Sequence, residues 1–288
     1  MEKNIKTAFV CDSGTGKSIK DMEAQGCFSV PLQVSYENIS KLELEEISID
    51  EVYTLMDQGK KISTSLASLG DIESLFSSLK NQGYERVFAV PICNGLSGTI
   101  NAMKVAAEEI GIDFDYFDCH VTAVVEEYMV VRAKQLYDEG KTIQFIKEHL
   151  GKICETTNTL LVPDDLGHLK RGGRLTPLAA TIGGLLKIKP VLAINKKTEG
   201  KIDVIHKVRT MSKALDSTVD IMKNEIFNNG SGYRITVAHV RCEKAGQALV
   251  EKYREFFPSA KYNLIDLVSV VGIHTGFGCL AVQYFKEI

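Results

Sequence analysis

Three groups of residues in this sequence could do chemistry. Ser97, Asp118 and His274 occur in the order of a hydrolase triad, and Ser97 follows an apolar run suited to a buried strand. A nucleophile elbow needs G-x-S-x-G, so that small residues flank a strained serine; GLSGT puts Gly98 directly after the serine and Thr99 where the second glycine belongs. A triad also needs hydrogen-bond contact among its members, which chain order does not supply. The second group, SGTGKS at 13–18, falls between a strand-like and a helix-like run, where a phosphate-cradling loop would lie. The full G-x-x-x-x-G-K-[ST] pattern requires glycine at position 11 and the sequence has Cys11, so a solvated turn with a lysine at the helix start is the better reading. The third group is a set of hydroxyl residues in loops that end strands or open helices: STS at 63–65, LSGT at 96–99 and HTG at 274–276. Such places are where open α/β sheets bind ligands, and backbone N–H groups with hydroxyls suit an anionic head group such as a carboxylate. Each alone is explained by the preference of Ser and Thr for caps and turns; only the combination carries the idea.

The elements that must position these residues alternate. IKTAFVCDS reads as a strand, KSIKDMEAQG as a helix and CFSVPLQVSY as a strand. Ser48 and Glu51 have capping-box spacing and open a helix that stops at Gly59; Ser68 and Asp71 open another that stops at Gly83. RVFAVPIC is a fully apolar strand, INAMKVAAEEIG a helix, DFDYFDC a strand, and a long helical region follows from Val121 to about Glu155. Further on come the basic glycine loop HLKRGGRL and an apolar AATIGGLLKI whose Gly183 and Gly184 each cost about 1 kcal/mol in a helix. A hairpin turning at Gly200, a helix from about Thr210 to Asn228, strand YRITVAHV, helix KAGQALVEKYREFF and strand KYNLIDLVSVV complete the chain. That last strand is expected to deliver His274 and Thr275 to a pocket mouth, with Gly272, Gly276 and Gly278 letting the backbone turn there. The expected class is α/β, with a mainly parallel sheet and flanking helices in an N-terminal domain, 1–156, and a second mixed-sheet α/β domain, 157–288.

Composition narrows the function. With 34 Lys+Arg against 37 Asp+Glu, mixed along the chain, there is no basic stripe of the kind nucleic acid needs. No stretch of about 18 uncharged apolar residues exists, and the N-terminus lacks a signal-peptide pattern, so a cytoplasmic location is expected. Seven cysteines with no CxxC pair argue against a disulfide framework and against a structural metal site. They read as reduced, mostly buried small hydrophobes.

Several ordered motifs together resemble the DegV family, bacterial fatty-acid-binding proteins whose better-understood members are the lipid-carrying subunit of fatty acid kinase. The resemblance rests on DS at 12–13, TSLAS at 64–68, GLSGT at 95–99, FDC at 117–119, LKRGGRL at 169–175, LLKIKPVLAI at 185–194 and VGIHTGFGCLAV at 271–282, and so spans nearly the whole chain. It implies a two-domain α/β protein that buries an acyl chain between the domains, performs no catalysis of its own, has no metal or cofactor beyond a bound long-chain, palmitate-like fatty acid, and presents the carboxylate to an ATP-dependent kinase subunit. Transient contact with a membrane surface fits that role. By position, Thr64 and Ser97 would bind the carboxylate with His274 close behind and Ser65 and Thr275 assisting. Arg171 and Arg174 would lie in the loop that meets the kinase or the phosphorylated head group. Four places depart from the family pattern: Leu66 and Ala67 replace Gln and Pro, Lys17 replaces an acidic or neutral residue, Asn94 replaces a frequent serine, and Cys119 replaces the serine after Asp118. A hydrolase of acyl esters and a nucleotide-binding protein are the competing classes.

Energetics suit a lipid. A chain of roughly sixteen carbons offers on the order of 10 kcal/mol on burial, at about 0.8 kcal/mol per CH₂, before ordering costs. A hydroxyl hydrogen bond to a carboxylate adds only about 1.5–3 kcal/mol. Apolar contact would supply affinity, for which AATIGGLLKI, VFAVPI, SVVGI and FGCLAV are the candidate walls, and the hydroxyls would set orientation.

Overall fold

A computed structural model describes residues 5–181 and 188–288, apart from the side chains of residues 178 and 180. Gly183 and Gly184 lie outside the described residues. The chain divides into two compact units, Met1–Lys152 with Val268–Val270, and Ile153–Leu267 with Val271–Ile288.

Unit 1 is built on β1 (Thr7–Asp12), α1 (Ile19–Ala24), β2 (Phe28–Val30), β3 (Gln33–Tyr36), β4 (Ile39–Leu42), α2 (Ile49–Asp57), β5 (Ile62–Ser65), α3 (Leu69–Asn81), β6 (Arg86–Ala89), α4 (Thr99–Ile110), β7 (Asp113–Tyr116), α5 (Val124–Asp138) and α6 (Ile143–Cys154). Strands β2-β1-β6-β7 form a sheet, every pair parallel, with all six residues of β1 buried at its centre. A parallel strand covered on both faces must be apolar throughout, and TAFV meets that need until Asp12 ends it. Local signals set the helix ends: Ser48 and Glu51 form the expected capping box, Ser68 caps α3, and Gly59 and Gly83 take left-handed φ of 74° and 84° after α2 and α3. The long helical region breaks into α5 and α6 at Gly140, φ 82°. Pro31 interrupts CFSVPLQVSY between β2 and β3, because proline brings no N–H to a ladder. Strand β3 then joins a separate antiparallel sheet, β4-β3-β5, which sequence reasoning did not anticipate; it makes the STS stretch a strand rather than a loop.

Unit 2 contains β8 (Asn158–Val162), α7 (Gly167–Gly172), α8 (Pro177–Ala180), β9 (Lys189–Ile194), β10 (Asp203–Val208), α9 (Met211–Glu225), β11 (Tyr233–His239), α10 (Glu243–Phe256), β12 (Lys261–Asp266), α11 (Ser269–Thr275, begun in unit 1) and β13 (Leu280–Lys286). Its six-stranded sheet runs β10-β9-β8-β13-β11-β12, antiparallel except for β11 with β12. The expected α/β class with a parallel and a mixed sheet is therefore the observed one. The β9–β10 hairpin turns at Gly200, φ 73°.

One expectation fails. SVVGIHT is not the end of a buried strand; pairing of β12 stops at Asp266 and these residues form α11. Their β-branched side chains favour a strand, but Ser269 Oγ and the Val270 N–H both donate to the buried carboxyl of Glu43, at 2.9 Å for Val270, which fixes a helix start there.

Of the four apolar segments considered as tunnel walls, VFAVPI and FGCLAV contribute to the two cores, and most of AATIGGLLKI lies outside the described residues. Val87 and Ala89 pack with Phe76, Leu79 and Met103 in unit 1, and Leu280 and Val282 pack with Tyr253 and Tyr284 in unit 2. None of the seven cysteines forms a disulfide, and all but Cys242 are buried. Phe76 is fully buried in the unit 1 core. Phe76→Ala should lower the stability of unit 1 by about 3–5 kcal/mol, read as an earlier urea midpoint for probes in that unit, with probes in unit 2 less affected.

Candidate functional site

In unit 1 the turn carrying Ser97 is anchored from three sides. After β6 the backbone N–H of Ile92 donates to Asp12 Oδ2 (3.1 Å), that of Cys93 to the Val121 carbonyl (3.2 Å) and that of Asn94 to Asp118 Oδ2 (3.4 Å). Ser97 is half-buried; its Oγ lies 2.8 Å from Thr99 Oγ1 and accepts the Thr99 N–H at 3.3 Å, so it serves the start of α4, where Gly98 offers no side-chain cap. Thr64 is half-buried on β5 opposite Val34, and Ser65 is exposed with its Oγ donating to Gln33 Oε1 (3.2 Å). Leu66 reaches back over Gly98: a Cβ placed on that glycine would stand 3.6 Å from Leu66 Cδ2. The end of the Thr64–Ser65 strand and the Ser97 turn are thus packed neighbours.

In unit 2 His274 stands near the end of α11, and α7 packs against it so closely that a Cβ on Gly172 would lie 2.7 Å from His274 Nδ1. Gly276, at φ 79°, gives the reciprocal approach: its Cβ would lie 2.7 Å from His168 Cδ2. Both positions need glycine on steric grounds. Arg174 is half-buried and donates from Nη1 to the Gly172 carbonyl (2.5 Å), whereas Arg171 is exposed. Burial, then the Arg174 cation and then His168, push the His274 imidazole down to a pKa of about 4. His274 is neutral near pH 7 and can offer one N–H donor, not an ion pair. Thr275 is buried, and its Oγ1 donates to the Gly272 carbonyl (3.4 Å) within the helix.

Two members of the hydrolase constellation have other partners within unit 1. Ser97 is engaged with Thr99, and Asp118 accepts the N–H groups of Asn94 and His120 (3.0 Å). The SGTGKS stretch is neither a P-loop nor a solvated turn: Ser13–Thr15 is a buried 3₁₀ turn whose Gly14 N–H is taken by Asp12 Oδ1 at 2.7 Å. A phosphate would meet the buried carboxyls of Asp12, Glu126 and Glu43 there. Sequence reasoning missed those acids and His168, because an isolated Glu in a helix or beside a strand carries no spacing signal. No cluster that could hold a metal ion occurs among the described residues.

The fold defines a class: two-unit α/β proteins pairing a parallel-sheet unit with a mixed-sheet one. Within that class the chain belongs to the DegV family, whose model, described as an uncharacterised protein of the DegV family, matches residues 6–287. A DegV domain-containing protein of Staphylococcus aureus, SACOL0812, is 31% identical over 288 residues, covering 97% of each chain. A crystal structure of the fatty acid binding DegV family protein SAG1342 from Streptococcus agalactiae has a TM-score of 0.88 and 26% identity, covering 99% of this chain and 100% of that one. DegV from Bacillus subtilis, described as a fatty acid binding protein, shares the fold at a TM-score of 0.86 with 24% identity, covering 98% and 100%.

Two buried groups give stability slopes of opposite sign. Glu43 is raised by burial to about 7, so the folded chain keeps a proton the unfolded chain has lost, and stability should fall as pH rises from about 4.5 to about 7. His274 is lowered to about 4, so its contribution is present above about 6.5 and lost as pH falls towards 4. Denaturant titrations across this range should show Glu43→Gln removing the first slope and His274→Phe the second; unchanged slopes would contradict these ionisation states.

Proposed function

We propose that this chain is a carrier that buries a long-chain fatty acid and presents its carboxylate to a separate ATP-dependent fatty acid kinase subunit, itself supplying no catalytic group. The observation that carries the reading is the packing of Leu66 on Gly98, which puts the Thr64 strand end beside the Ser97 turn. The likeness to the fatty acid binding protein of Streptococcus agalactiae supports the same ligand class. In this reading Thr64 and Ser97 donate to the carboxylate. Ser65, exposed beside Thr64, assists. Hydroxyl donors give the head group orientation without neutralising it, which leaves a carboxylate oxygen nucleophilic enough to attack the γ-phosphorus of ATP, forming an acyl phosphate and ADP. Arg171, exposed on α7, and Arg174 behind it provide the positive face for the kinase or for the new phosphate.

The apolar tail dominates affinity and the hydroxyls fix the head, so variants should separate the two. Purified chain, denatured, extracted and analysed by mass spectrometry, should yield a long-chain fatty acid in near-stoichiometric amount. Thr64→Ala with Ser97→Ala should retain part of that lipid while weakening stearate binding by about tenfold, one charge-assisted hydrogen bond's worth. A lipid-free extract together with no measurable stearate affinity would contradict the carrier reading.

A further inference from the structure

The least expected cluster in the molecule is a set of carboxyls sealed inside unit 1. Asp12, at the end of β1, and Glu126, in the first turn of α5, both have no exposed surface, and their carboxyls crowd the same side of Gly14. The donors around them do not balance that contact. Asp12 spends Oδ1 on the Gly14 N–H (2.7 Å) and Oδ2 on the Ile92 N–H (3.1 Å). Glu126 Oε2 is 3.0 Å from Thr122 Oγ1, which is also 3.0 Å from the Gly14 carbonyl oxygen, and its one hydroxyl proton can serve only one of the two. Glu126 Oε1 is buried with no donor reaching it. Two carboxylates are acceptors only, so a pair buried side by side with an oxygen left over calls for a proton between them.

The charges nearby reinforce this. Facing the pair are the Cys11 thiol on β1, the Cys93 thiol in the Ser97 turn, and the Glu43 carboxyl, which holds Ser13 Oγ at 2.5 Å. Among the described residues no lysine or arginine is paired with Asp12, Glu43 or Glu126; Lys17 instead lies 3.8 Å from Glu127. Burial and the mutual repulsion of the two acids both push Glu126 well above the usual carboxylate range, while burial raises Asp12 to about 6. The surrounding backbone is built tightly on the pair. A Cβ on Gly14 would strike Asp12 Oδ1 at 2.6 Å and Glu126 Oε2 at 2.8 Å, and Ala123, just before α5, is held at φ 60°, ψ −132°, a conformation that residues other than glycine rarely adopt. Ala123 N–H and Thr122 both return to the Gly14 carbonyl.

We propose that Asp12 and Glu126 share one proton, and that this proton is a positioning element for the turn that carries Ser97, through the Asp12 to Ile92 hydrogen bond. Loss of the proton places two anions in contact without a cation, and the pair separates, loosening Asp12 from Ile92. Resting on the carrier reading above, this makes head-group binding proton-linked, strongest where the pair is protonated and weaker in alkaline solution.

Carbon-13 NMR of the carboxyl groups in the ligand-free wild-type chain, with the Glu126 signal assigned by its absence in Glu126→Gln, tests the proton directly. Glu126 should remain protonated at neutral pH; ionisation in the ordinary carboxylate range would overturn the proposal, with or without any lipid. Glu126→Gln supplies a permanent N–H donor to Asp12. From about pH 6 to about pH 9, amide-exchange protection at Ile92 and stearate affinity should each fall about tenfold in the wild type and stay within about twofold in Glu126→Gln. The ligand's own titration appears equally in both chains, so an equal pH dependence in the two also overturns it. Should neither chain bind stearate at any pH, the carrier reading fails, while the Glu126 titration and the Ile92 protection still decide whether the proton is there and what it holds.

Discussion

Unit 1 depends on how it tolerates three buried carboxyls, Asp12, Glu43 and Glu126, with no lysine or arginine paired to them among the described residues. A buried isolated carboxylate is expensive enough that such groups keep a proton or collect hydrogen bonds instead. Here burial raises all three, and the bonds they collect anchor the Ser97 turn and the start of α11. Asp12 takes the Ile92 N–H ahead of Ser97, and Glu43 takes Ser13, Ser269 and Val270. A hydrogen bond to a charged or shared-proton carboxyl contributes about 1.5–3 kcal/mol, more than a turn of chain gains from propensity alone. That difference explains why a β-branched run becomes α11 and why a glycine-rich stretch that resembles a phosphate loop is instead a buried turn.

The same competition sets what was legible in the sequence. Elements whose ends depend on neighbours in the chain were readable: Ser48 with Glu51, Ser68 with Asp71, Gly59, Gly83 and the Gly200 hairpin all sit where local capping chemistry puts them. Elements whose conformation depends on a distant carboxyl were not. Nothing near Ser269 announces Glu43, which lies 226 residues away. The antiparallel sheet β4-β3-β5 escaped for a different reason: its strands are four residues each, half-exposed, and lack a long apolar alternation. For the candidate site, Thr64, Ser97 and His274 could be proposed from motifs, whereas the His168 and Arg174 surroundings that keep His274 neutral could only come from the fold.

The physical division of labour in a lipid carrier suits this arrangement. Affinity comes from the tail, at about 0.8 kcal/mol per CH₂, and needs no particular polar chemistry. The head group needs placement with little electrostatic stabilisation, because a carboxylate clamped by arginines would be a poor nucleophile towards a phosphoryl group. In the proposed reading, the small hydroxyls of Thr64 on a strand end and Ser97 ahead of a helix would meet that requirement. A rigid turn beneath Ser97 lowers the ordering cost that binding would otherwise carry.

A crystal structure of the chain grown with stearate tests the central claim most directly. The account predicts electron density for the carboxylate within hydrogen-bond distance of the Thr64 and Ser97 hydroxyls, with the alkyl chain continuing into apolar surroundings. Stearate carboxylate density elsewhere, or both hydroxyls facing solvent beside a fully occupied lipid, would contradict it.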